Sequence, residues 1–134
     1  MLRLIIGEVK HVKHVKRNGY KYVVLSEFIY ESDGVRITVP PGFLTDGSTY
    51  SPDTGYAWIF HDYLYATHKF DNREECSREQ ADNIMVHILN NERRSTYSSI
   101  FHCLSKMNIF WIFSRAWDSS GKRGPENYKV IIQC

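Results

Sequence analysis

Alternation of apolar and polar positions dominates the first forty residues. Residues 9–16 and 20–30 flank Arg17-Asn18-Gly19, and Asn-Gly between alternating runs is the strongest short-range hairpin signal. Ser32-Asp33-Gly34 marks a second turn, after which Val35-Arg36-Ile37-Thr38-Val39 alternates as a half-buried strand does. The pattern predicts a three-stranded antiparallel meander, preceded by a short strand over residues 2–6. Pro40-Pro41-Gly42 ends it. Residues 43–54, rich in Gly, Ser, Thr, Asp and Pro, read as a loop without regular structure.

Beyond that loop the period changes. Residues 54–67 form an apolar run, and a helix made of it would be buried on most sides. A second helix opens at Ser77-x-x-Gln80, a capping box, and carries Ala81, Ile84, Met85, Ile88 and Leu89 at helical spacing. A third is drawn from about residue 95 to 119, with Tyr97, Ile100, Phe101, Leu104, Trp111 and Ile112 on its buried side. Asn108 is the point where it would break or kink. Residues 121–125 read as a turn, and 128–132 suit a last strand returning to the sheet. The expectation is an α+β fold in one domain, residues 1–134. It divides into a β-meander (1–40), a site loop (41–54), a helical part of about three helices (55–120), and a turn with a terminal strand (121–134).

Composition changes this picture little. With 134 residues the chain is one domain with a real core. Its aromatic share of 14% favours a packed interior or an interaction surface over disorder. A net charge of +2 is too small to argue for nucleic acid on bulk electrostatics. Cys76, Cys103 and Cys134 are odd in number and far apart, which suits reduced thiols better than a disulfide framework or a metal pair. The opening Met-Leu-Arg-Leu-Ile-Ile-Gly-Glu is too short an apolar run for a signal peptide. No stretch approaches the ~20 apolar residues of a transmembrane helix.

The candidate chemistry lies in the apolar run. It contains His61 and Asp62, and an unpaired polar or charged group in such a setting costs several kcal/mol or more. His61 and Tyr65 are four apart and share a helix face. The connection of residues 69–76 lets the second helix lie antiparallel to the first, bringing Asp82 to His61 beside an opening that a ligand can enter. In that arrangement Asp82 holds the imidazole as a carboxylate does in a catalytic dyad. Asp62 and Asp46 would then be ligands for a hard cation such as calcium, with Thr45, Gly47 and Ser48 as loop support. The residues alone leave a second reading open: a polar network tying loop to helices, in which Asp46 and Ser48 do ordinary turn work and Asp53 caps the first helix. The other histidines, His11, His14, His68, His87 and His102, read as incidental.

Val39-Pro-Pro-Gly-Phe-Leu-Thr-Asp-Gly-Ser48, His61-Asp-Tyr-Leu-Tyr65 and Ser77-Arg-Glu-Gln-Ala-Asp82 together resemble a phage and prophage family, domain of unknown function 1353. The resemblance spans roughly residues 35–89. It implies a viral or prophage origin, with residence in the host cytoplasm or a virion. A weaker similarity links His-Asp-x-x-Tyr with a later Ala-Asp to secreted and parvoviral phospholipases A₂. That likeness implies His61 as the base that activates water, Asp62 on calcium, Tyr65 as a support and Asp82 as the orienting carboxylate. The Gly-rich calcium loop of those enzymes is not reproduced here. The leading expectation is a small phage- or virus-associated hydrolase cleaving a phospholipid or cell-envelope ester, with calcium as cofactor. The alternative is a non-enzymatic virion or assembly protein whose partners are other virion proteins.

Overall fold

The computed structural model describes residues 2–11, 22–45, 56–92, 95–108 and 112–120. The predicted turn at 17–19, the loop residues Asp46, Gly47, Ser48 and Asp53, and everything predicted for 121–134 lie outside the described residues. Within them the chain is α+β, with a strand-rich N-terminal region followed by helices.

The strands do not make one meander. They form two three-stranded antiparallel sheets. In the first, β1 (Arg3–Ile5) pairs with β4 (Phe28–Ser32), which pairs with β5 (Val35–Val39). In the second, β2 (Val9–His11) pairs with β3 (Tyr22–Val24), which pairs with β6 (Leu44–Thr45). The predicted continuous strand over 20–30 therefore splits at Leu25–Glu27, and the predicted loop at 43–54 begins as a strand.

The cause of the split is local. Gly7 lies against the backbone of Ser26 and Glu27, so that a Cβ there would come within 3.0 Å of both carbonyl oxygens. Glu8 then bonds this crossing, its amide donating to Ser26 Oγ at 2.8 Å and its carbonyl accepting from Leu25 N at 2.7 Å. Two chain segments thus leave one sheet and enter the other at the same place. The hairpin between β4 and β5 follows the expectation. Asp33 and Gly34 have φ of 51° and 80°, the pair of positive values that a two-residue hairpin turn needs. Phe28 and Tyr30 face inward beside Val39 and Ile37, their register partners.

Four helices follow: α1 (Ala57–Thr67), α2 (Arg78–Asn91), α3 (Ser95–Met107) and α4 (Ile112–Ser120). Helix α1 is the hub of the core. Phe60 packs on Phe28 and Tyr30 of the first sheet, while Trp58 packs on Tyr22 of the second. Seven of its eleven residues are buried, which is why the run lacks a clear polar face. Helix α2 carries the capping box in full: Ser77 Oγ accepts from Gln80 N, and Gln80 Oε1 accepts from Ser77 N. Two contacts fix α2 antiparallel to α1. Cys76 N donates to His68 O at 2.8 Å at one end, and Tyr56 N donates to Glu92 Oε1 at 3.2 Å at the other.

The single third helix of the sequence reading is two helices. Asn108 takes a left-handed φ of 46° and closes α3 through its amide to Leu104 O. Its side-chain oxygen then accepts from Phe113 N and Ser114 N in the first turn of α4, satisfying donors that a helix start leaves open. Phe101 is buried as expected, but Ile100 is 47% exposed and belongs to the outer face. Among the described residues no helix is long and apolar enough to cross a membrane.

Candidate active site

Helix α1 supplies the imidazole and α2 the acid. His61 Nε2 lies 2.8 Å from Asp82 Oδ1, and Tyr65 Oη donates to the same oxygen at 2.7 Å. His61 and Tyr65 are one helical turn apart, so both reach across to Asp82 from one face. Asp82 sits at the edge of the apolar stripe of α2 and is only 3% exposed. The antiparallel packing turns that edge toward α1, as the spacing predicted.

The second carboxylate oxygen has its own partner. Arg78 Nη1 donates to Asp82 Oδ2 at 3.2 Å and also to the backbone carbonyl of Ser105 in α3 at 3.3 Å. The residues four apart on α2 form an ion pair that offsets part of the cost of burying the Asp82 charge. Arg78 was missed in the sequence reading, although its i,i+4 spacing from Asp82 was a usable signal. The cluster thereby joins three helices.

Its electrostatics follow from burial. Loss of water around the Tyr65 hydroxyl, helped by the Asp82 charge, raises its pKa far above the ordinary tyrosine value. It stays a hydrogen-bond donor at every working pH. Burial likewise pushes the Cys76 thiol up to about 12, with the Asp82 charge adding to the shift. An ionised carboxylate only accepts hydrogen bonds, so facing one His61 donates from Nε2, and in its neutral form the ring keeps its lone pair on Nδ1. The His61 side chain keeps 13% of its surface exposed. Its ring lies edge-to-face with Phe101 and 4.2 Å from the Tyr65 ring. These contacts restrict its rotation.

Asp62 does a different job. Its carboxylate accepts from Thr45 Oγ1, so it holds the end of β6 against α1. The structure therefore brings His61, Tyr65 and Asp82 together in one cluster, and Asp62 and Thr45 in another. Asp46, Gly47 and Ser48 lie outside the described residues. Calcium takes 6–8 oxygen ligands, whereas the described part of this second cluster offers one carboxylate and one hydroxyl. Among the described residues no group of three His, Cys, Asp or Glu side chains is placed to hold a metal. The described donor set does not by itself fit the ion.

A groove of about 130 Å³ reaches the cluster from the α2–α3 side, lined by Arg78, Glu79, Asp82, Asn83, Ser105 and Lys106. It meets Asp82 on the Arg78 side. His61 is not among its lining residues, so the opening expected beside the imidazole is not this groove.

Two histidines that read as incidental have defined places. His68 ends α1 with φ of 57°, stacks on Trp117 at 3.7 Å and contacts its carbonyl at 2.9 Å. His87 Nδ1 lies 3.0 Å from Tyr30 Oη, linking α2 to β4. Both are packing devices.

No curated protein and no solved structure matched the chain. A family described as protein of unknown function (DUF1353) matches residues 22–103. That interval runs from the first residue of β3 into α3 and contains His61, Asp62, Tyr65, Arg78 and Asp82. By that match the chain belongs to the DUF1353 family.

Proposed function

We propose that this protein is a small hydrolase acting on an ester of a lipid or cell-envelope component, with His61 as general base. The observation that carries this reading is the bond between His61 Nε2 and Asp82 Oδ1 at 2.8 Å, shared by Tyr65. Such a bond fixes the tautomer and leaves Nδ1 to take a proton from water as the water attacks a carbonyl. Asp82 then stabilises the imidazolium that forms. A histidine suits this work near neutral pH. The phage or virus setting comes from motif resemblance alone, and the calcium cofactor from that resemblance and the Asp62 and Asp46 carboxylates of the sequence. Calcium assistance is tested separately, by activity with the ion and with a chelator.

The competing reading is a structural staple in an assembly protein. It is favoured by Arg78, which bonds both Asp82 and the Ser105 carbonyl and so ties α3 to the pair. Because Asp82 holds three donors, its loss destabilises the fold under either reading. His61 is the residue that separates them. In the hydrolase, His61→Gln abolishes turnover on phospholipid, peptidoglycan and generic ester panels while the melting temperature falls by only a few degrees. Wild-type protein inactive across those panels, both with calcium and with chelator, would sink the hydrolase and leave the staple.

A further inference from the structure

We infer that the α2–α3 groove binds a small oxyanion of the phosphate class, either free phosphate or the phosphoryl group of a larger molecule. The inference is independent of the hydrolase reading, because it concerns the far side of Asp82 and is read by binding alone.

The argument rests on unspent donors. A guanidinium has five N–H groups; Arg78 bonds Asp82 Oδ2 and Ser105 O through Nη1, and the Tyr65 hydroxyl also lies beside it. The three N–H groups on Nε and Nη2 take no part in those two bonds. Lys106 Nζ carries three donors and uses one on Glu79 Oε1 at 3.0 Å. Asn83 lines the same groove, and its exposed amide makes no hydrogen bond among the described residues. The acceptors of the groove are fewer than its donors. Asp82 takes three donors, and the Ser105 carbonyl takes Arg78. Glu79 is paired with Lys106 and is 69% exposed at the groove mouth.

The groove thus holds an excess of donors, which an acceptor-rich partner such as a tetrahedral oxyanion can take up. Arginine recognises such groups with paired N–H bonds, and lysine adds a point charge. A volume of about 130 Å³ holds several waters or one such ion. The adverse charges are the two carboxylates of the lining: Asp82, which already holds three donors, and Glu79, which competes with the ligand for Lys106.

That competition provides the test. Inorganic phosphate and glycerol phosphate are titrated by calorimetry and by thermal melting, against sodium chloride at matched ionic strength. A ligand that prefers the folded state must raise the melting temperature with concentration. The wild-type protein is expected to show a phosphate-dependent rise beyond chloride. Glu79→Gln, which frees Lys106, should tighten binding several-fold, and Asn83→Asp, which places a carboxylate in the groove, should weaken it at least as much. Both positions are exposed, so the variants fold. Tighter binding of glycerol phosphate assigns the site to a phosphate ester, and equal or weaker binding assigns it to the free ion. Absence of any rise beyond chloride, or a rise unchanged in both variants, overturns the inference.

Discussion

Asp82→Asn is the most informative single change. Asparagine has nearly the same shape, so packing is preserved and only the hydrogen-bond inventory changes. In the native protein three donors converge on the carboxylate, from His61 at 2.8 Å, Tyr65 at 2.7 Å and Arg78 at 3.2 Å. The amide keeps one acceptor oxygen and adds an NH₂ group. Whichever way it turns, that NH₂ faces a donor: Arg78 in one orientation, His61 and Tyr65 in the other. A hydrogen bond to a charged group contributes about 1.5–3 kcal/mol, and breaking a buried ion pair costs about 3–5 kcal/mol. The Arg78 side chain is 29% exposed and can turn partly to water, which argues for the lower end. The expected loss is about 3 kcal/mol, a fall of about 10 °C in Tm for a domain of this size. Urea unfolding followed by tryptophan fluorescence should show a lower midpoint with an unchanged slope. The exposed neighbour Asn83→Ala serves as control and should stay within about 0.5 kcal/mol. An Asp82→Asn loss below about 1 kcal/mol would refute the reasoning, since the three contacts would not then be working together.

Two further outcomes follow from other parts of the fold. Gly7→Ala places a methyl within 3.0 Å of the Ser26 and Glu27 carbonyl oxygens, so the strand crossing must open, at about 2 kcal/mol or more. An unchanged denaturation midpoint would show that the crossing is looser than drawn. Alkaline pH should destabilise the protein through Cys76, whose folded pKa is pushed from 9.0 up to about 12. The unfolded chain gives up that proton first, so stability is intact below about pH 9 and falls as pH rises toward 12. Tyr65 acts in the same direction above its ordinary value of 10.0. Cys76→Ala should make the fall shallower, measured as urea midpoints between pH 7 and 10.5.

Local signals carried much of the architecture. The Asp33-Gly34 turn, the Ser77-x-x-Gln80 box and the left-handed break at Asn108 each depend on interactions within a few residues, and each is present. The His61–Asp82 pair was legible for a related reason. Two helical periods and one short connection are enough to bring those faces together. The two-sheet arrangement was not legible. The alternation of residues 20–30 is the same whether one strand runs through or two strands meet at a crossing. The decisive contact, Gly7 against Ser26 and Glu27, joins segments about twenty residues apart. Ile100 was misplaced because helical spacing gives a stripe but not which stripe a neighbouring helix covers.

The chain by itself determined its α+β class, its helix ends and the candidacy of one histidine and one aspartate, because propensity, caps and period act over a single turn or strand. Tertiary structure alone decided that Arg78 joins the pair, that Asp62 is held by Thr45, and that the described groove meets Asp82 on the side away from His61. Those outcomes depend on how α1, α2 and α3 pack, and packing is a property of surfaces that meet only once the chain has folded.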